Sequence, residues 1–225
     1  MIDIDKIYII HYPDLVERKV YLDSNLPKFN IPYEYKCRIM RNSPEIEDPA
    51  FIDLSDNNRD KRNVIYHTKS YGGITDGVTR TSWKANLLEH YFIFNDFVNS
   101  NDENILVLED DVIFGDGFFE TLETFLHEIP DDYDIVYLGS GCDLKFPSHS
   151  DKLLEKHPER RSKCGDSYIV SNKAASKIVT SCLPLYCNWD WELNYQQEIH
   201  KMDVYWAINP MIFQGSEHGQ YSSSC

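Results

Sequence analysis

The sequence predicts an α/β fold, with a mostly parallel central sheet and helices on both faces. Three observations carry this expectation. Short, wholly apolar runs at residues 7–10 and 105–108 suit strands covered on both sides. Segments of helical periodicity alternate with such runs through most of the chain, as parallel strands with crossovers require. The run at 105–108 also stops on Glu109, Asp110 and Asp111, at the carboxyl edge where open α/β sheets bind ligands.

In order, residues 6–10 read as a first strand. The turn His11-Tyr12-Pro13-Asp14 follows, with Asp14 placed as an N-cap for an amphipathic helix over 15–26. Residues 33–39 alternate like a second strand. Residues 41–63, rich in Asn, Asp, Pro and Arg without a period, read as an insertion or mobile loop. The glycines at 72, 73 and 77 lack a phosphate-loop pattern and read as a turn. A bulky helix is expected over 81–98, the acidic strand after it, a helix over 118–129 and a buried strand over 133–139. Residues 143–163 hold the densest basic patch and read as a solvated loop with a short helix. A strand at 167–171, helices at 173–182 and 188–200, a strand at 204–208 and a polar tail complete a single domain spanning 1–225.

Composition narrows the function. A formal charge of −15 argues against nucleic-acid and anionic-membrane partners, which need concentrated positive surface. Six cysteines show no C-x-x-C spacing, so structural zinc is not indicated. The first residues lack a signal-peptide pattern and no run reaches membrane-span length, so a cytoplasmic location with free thiols is expected.

Two stretches carry chemistry. Adjacent carboxylates at the end of a buried strand repel one another and suit a shared hard cation, with Glu109 and Asp111 as oxygen ligands completed by nucleotide phosphates. The competing reading is a solvated acidic turn. In Trp189-Asp190-Trp191-Glu192, bulky neighbours would desolvate two acids and raise their pKa values. The competing reading there is an Asp cap beside core tryptophans.

Several pieces in order resemble glycosyltransferase family 25, which contains lipopolysaccharide-type and collagen galactosyltransferases. They are residues 7–11 followed by Arg18-Lys19, then Leu108-Glu109-Asp110-Asp111, then Asp134-Ile135-Val136-Tyr137-Leu138-Gly139, then Ser167-Tyr168-Ile169-Val170-Ser171 with Ala174-Ala175, and finally Asp190 and residues 210–216. The chain departs from the family at His11, where Asn is usual, at Ser82-Trp83, where Ser-His is usual, and at Arg41-Asn42-Ser43, where an Asp-Gly is not recognisable.

The resemblance implies a GT-A (Rossmann-like) fold and a divalent metal, manganese first and magnesium second. It further implies a UDP-hexose donor, galactose or glucose, and a glycan or glycoconjugate acceptor, with inversion at the transferred carbon. It assigns Glu109 and Asp111 to the metal, with His218 from the returning tail as third ligand. His11, Tyr12, Arg18, Ser82, Glu109, Asp110 and Asp111 go to the donor, Asp190 to the catalytic base with Glu192 in reserve, and Trp189 and Trp191 to sugar platforms. A non-catalytic carbohydrate-binding protein and a metal-dependent phosphoesterase are the rival readings.

Overall fold

The computed structural model describes residues 2–68, 77–139, 141–147 and 151–222. The glycine turn lies outside these except for Gly77, as do His149 and the last three residues. The chain opens with β1 (Lys6–Ile10), α1 (Val16–Asn25) and β2 (Tyr33–Lys36), then α2 (Asp56–Thr68), α3 (Thr81–Val98) and β3 (Asn104–Glu109). β4 (Val112–Phe114), α4 (Phe118–Glu128), β5 (Ile135–Tyr137), β6 (Leu154–Lys156) and β7 (Ser167–Ser171) follow. The last elements are α5 (Asn172–Val179), α6 (Trp189–Ile199), β8 (Val204–Ala207) and β9 (Ile212–Gln214).

Seven strands form one sheet in the order β2, β1, β3, β7, β5, β8, β6, while β4 and β9 pair separately as an antiparallel ribbon. β2, β1, β3, β5 and β8 point one way, and β7 and β6 point the other. The sheet is therefore mixed, with a mostly parallel body. β7 departs from the expected parallel crossover: among the described residues no α-helix lies between β5 and β7, and parallel returns are usually made through one.

Alternation along the strands builds two cores. Tyr8, Ile10, Ile105, Val107, Tyr137 and Tyr168 pack with Leu88, Phe94, Ala174 and Leu193 from α3, α5 and α6. Ile7, Ile9, Leu106, Leu108 and Val136 pack on the opposite face with Leu22, Phe118, Leu122 and Phe125 from α1 and α4. A strand with both faces covered must be apolar throughout, and β3 is fully buried from Ile105 to Leu108.

Three local readings need correction. Residues 41–63 are not a loose loop. They contain a 3-10 turn at Pro44–Glu47, a parallel bridge between Ile52 and Leu185, and most of α2. Asp14 does not cap α1, whose N-cap position is Leu15 without a side-chain hydrogen bond. Residues 143–163 supply the edge strand β6 rather than a short helix between solvated turns. Two of its basic residues turn inward, with His157 packed on Trp206 at 4.4 Å and Lys163 donating to the Ala207 carbonyl at 3.1 Å.

α2 is held by a buried charge as well as by Tyr66, which packs with Tyr186, Cys187 and Tyr195. Arg62 is fully buried, and its Nε donates to Glu192 Oε2 on α6 at 2.6 Å. Its Nη1 donates to Asn58 Oδ1, and Nη2 reaches the carbonyls of Cys182 and Pro184. Removing one member of such a pair leaves a buried charge unanswered, at roughly 3–5 kcal/mol, whereas replacing both by apolar groups is often neutral. Chemical denaturation of Arg62→Met should therefore show a loss of that order, and Arg62→Met with Glu192→Leu should recover most of it. Equal stability of the single variant and the parent would refute the assignment.

Candidate active site

The first turns of α3 and α6 and the carboxyl ends of β1 and β3 open onto one cleft of about 740 Å³, within the range of small-ligand sites. Its wall includes Tyr12, Arg18, Ser82, Glu109, Asp110, Asp111, Trp189 and Asp190, so eight of the residues singled out in the sequence share one cavity.

The three acids after β3 have different partners. Asp110, 5% exposed, accepts from Arg18 Nη1 at 2.6 Å and pairs with His11 Nδ1 at 3.0 Å, while the Tyr12 amide donates to it at 3.3 Å. It is thus matched by charge to the turn after β1. His11 also meets Tyr35 edge-on at 5.4 Å and does not line the cleft. Arg18 Nη2 donates to the Ser222 carbonyl at 2.7 Å, and its guanidinium lies over the Tyr221 ring. The tail therefore folds back rather than fraying. Gly215 N and Ser216 Oγ donate to the Asp111 carbonyl at 2.7 Å and to its Oδ2 at 2.5 Å.

Glu109 accepts from Asn86 Nδ2 at 3.0 Å and faces His90 Nε2 at 3.5 Å. Asp111 keeps a buried Oδ1 with no hydrogen-bond partner among the described residues. Burial and then the nearby Glu109 charge push its pKa up to about 6. Among the described residues no three Asp, Glu, His or Cys side chains already form a metal cage. The orphaned Asp111 oxygen beside Glu109 nevertheless fits a hard cation that draws its other ligands from a bound diphosphate.

Asp190 occupies the first turn of α6 and lines the cleft. Burial raises its pKa to about 6, the Trp191 amide opposes that shift, and the charge on Glu109 adds to it. Trp189 stacks on His90 at 5.4 Å with the rings 7° from parallel, and its Nε1 donates to Tyr168 Oη at 3.0 Å. Tyr168 Oη also contacts His90 Nδ1 at 2.9 Å. A buried chain thus runs from Glu109 through His90 and Tyr168 to the helix that carries Asp190. Burial holds His90 below its ordinary pKa, favouring the neutral ring.

Besides His11, three expected participants lie elsewhere. Glu192 is fully buried, with one oxygen accepting from Arg62 and the other from Gln196, because a position two residues after Asp190 points to the far side of α6. Trp191 leaves the cleft for the same region and meets Tyr66 edge-on at 5.3 Å. His218 is exposed outside the cleft lining, its ring 5.8 Å from Phe213, so it does not complete a ligand set here. In the other direction, sequence reasoning missed His90 and Asp166. His90 stands two turns beyond the departure at Trp83 and brings an imidazole to Glu109. Asp166 stands beside Glu109 just before the neighbouring strand β7, where the Glu109 amide donates to its carbonyl at 2.8 Å.

The family model described as Glycosyltransferase family 25 (LPS biosynthesis protein) matches residues 4–191. No curated protein matches the chain. Among solved structures, a glycosyltransferase involved in the glycosylation of the major capsid of PBCV-1 is similar at 6% identity and a TM-score of 0.46, covering 94% of this chain and 92% of the other. The inositol-1-phosphate CTP transferase from T. maritima is similar at 12% identity and a TM-score of 0.43, covering 98% and 92%.

A cation held by the free Asp111 oxygen would compete there with a proton. Manganese affinity measured by calorimetry with a nucleoside diphosphate present should therefore fall as pH drops below about 6, approaching about tenfold per pH unit. An affinity independent of pH between 7 and 5 would put the ion somewhere other than Asp111.

Proposed function

Since this chain belongs to glycosyltransferase family 25, we propose that it moves a hexose from a UDP-sugar to a hydroxyl of a glycan or glycoconjugate, with inversion and with a divalent metal. One observation carries the reading: the acidic end of β3 and the raised carboxyl of Asp190 face the same cleft. The metal reading draws on the fit of Asp111 and Glu109 described above, and when bound a cation would stabilise the charge that develops on the departing diphosphate.

Asp190 has the properties an inverting transfer asks of its base. A carboxylate whose pKa is about 6 is ionised at neutral pH, yet more basic than an ordinary Asp. In the proposed reaction it takes the proton of the acceptor hydroxyl as that oxygen bonds to the anomeric carbon. The bond from that carbon to the diphosphate oxygen breaks on the opposite side, and both its electrons leave with the diphosphate. Trp189, fixed by His90 and Tyr168, holds the first turn of α6 so that the base keeps its place. The partial positive charge at the start of α3, where Ser82 and Trp83 line the cleft, favours the anionic donor. Arg18 is matched by Asp110, so its contribution is to shape the donor side rather than to supply an unpaired charge.

Asp190→Asn should still bind donor and manganese while its transfer rate falls about a hundred- to ten-thousand-fold. In the parent, the rate should climb with pH through about 6, because the base works only once deprotonated, and that rise should vanish in the variant. Release of nucleoside diphosphate, with product counted by mass spectrometry, reads both. Parent-level turnover in the variant would move the base elsewhere.

A further inference from the structure

Asp166 has no place in the scheme above, yet it is 1% exposed, lines the cleft, and keeps Oδ1 without a partner among the described residues. Its other oxygen accepts from Ser167 Oγ at 2.9 Å. A buried carboxyl oxygen that meets nothing is costly, and such a cost persists where a ligand removes it. The fold also makes deliberate room for this group. A Cβ at Gly139 would stand 2.0 Å from Asp166 Oδ2, and one at Gly141 would stand 3.1 Å from Oδ1. Any larger residue at Gly139 would displace the carboxyl.

Its position suggests what it meets. β3 and β7 pair with Leu108 opposite Ser167, which sets Asp166 directly across from Glu109 and on the same face of the sheet. Cys164 stands nearby, since a Cβ at Gly141 would meet its Cβ at 2.3 Å as well as Asp166 Oδ1 at 3.1 Å. Asp166 therefore shares one cleft with the acidic end of β3 and with Asp190. If the diphosphate is held at the first and the anomeric carbon is attacked beside the second, the transferred sugar lies in the cavity that Asp166 lines.

We propose that Asp166 reads the transferred sugar, its free Oδ1 hydrogen-bonding to a ring hydroxyl of the donor hexose. The inference rests on the glycosyltransferase reading and deepens it by naming a specificity-determining residue. A carboxyl oxygen suits this task because it bonds strongly to a hydroxyl placed in one direction, and a misplaced or absent hydroxyl leaves it unsatisfied again.

The test compares Asp166→Asn with the parent, using UDP, UDP-galactose, UDP-glucose and singly deoxygenated forms of the better hexose donor, all with manganese, by calorimetry and by steady-state transfer. The parent is expected to bind one nucleotide hexose more tightly than UDP and to lose roughly tenfold or more when one particular hydroxyl is removed. Asp166→Asn should bind UDP within about twofold of the parent, lose a similar factor in kcat/KM for the full donor, and be indifferent to removal of that hydroxyl. Gly139→Ala, which leaves the carboxyl in the sequence but pushes it aside, should show the same pattern. Retained UDP affinity reports that either variant is folded.

If Asp166→Asn weakens UDP and the sugar nucleotide equally, the residue serves the cation or diphosphate and the proposal falls. It falls too if the deoxy-donor penalty persists in the variant. A parent that binds UDP-sugars but is indifferent to every hydroxyl overturns this inference alone, whereas a parent that binds no nucleotide sugar overturns the glycosyltransferase reading with it.

Discussion

Three consecutive carboxylates at the end of a buried strand would repel one another strongly if left together, and this chain divides them. The middle one, Asp110, is paired with Arg18 of α1 and hydrogen-bonded to His11 of the turn after β1 in a buried contact. All three line the cleft, and that contact leaves Glu109 and Asp111 as the two without an Arg partner. It also decides the path of the tail, because the guanidinium that answers Asp110 holds the Ser222 carbonyl with its second nitrogen. Asn86 and His90 hold Glu109 while Gly215 and Ser216 hold Asp111, so the middle charge is answered by Arg18 and the outer two keep partners of their own.

The cleft remains electrostatically expensive, with Glu109, Asp111, Asp166 and Asp190 all facing it. Burial raises Asp111 and Asp190 to about 6 and holds Asp166 well above the usual carboxylate range. Their mutual charges push the same way. The starts of α3 and α6 oppose this with aligned backbone N–H groups, and the Trp191 amide does so at Asp190 directly. Since hydrogen bonding from the helix end favours the ionised form and burial disfavours it, Asp190 settles between an ordinary surface Asp and a permanently protonated one. A binding cleft built this way favours ligands that bring positive charge or hydroxyl donors, and an anionic donor would enter it together with a cation.

What the sequence revealed and what it concealed follow from how each element is buried. β1, β3, β5 and β7 were legible because a strand covered on both faces has to be apolar at every position. α3 and α4 were legible because they cover the sheet with bulky residues. α2 was not, because its inward residues include Asn58 and Arg62, and a buried face made of an amide and a guanidinium looks like solvated loop in any hydrophobic pattern. Asp166 escaped notice for a different reason: its importance comes from the antiparallel register that puts it across from Glu109, and register between distant segments is invisible along one chain. Glu192 could have been excluded from the outset, since residues two apart on a helix differ by roughly 200° around the axis and cannot both face the same cavity as Asp190.

The two faces of α6 then explain why the concealed helix belongs to the site. Asp190 looks into the cleft, while Glu192 on the opposite face is clasped by Arg62 of α2, and the Tyr66 hydroxyl donates to the Trp191 carbonyl between them. A buried ion pair contributes little net stability compared with well-packed apolar side chains, because desolvation consumes most of the attraction. Direction is what such a pair supplies more readily, as charge-assisted hydrogen bonds tolerate little rotation. An apolar contact at Glu192 would let α6 turn or slide by a fraction of a residue at small cost, and such a shift would move Asp190 from its place in the cleft wall. On this argument α2 is the outer brace of the helix that carries the proposed base, and the polar face that hid it from the hydrophobic pattern is the part that does the bracing.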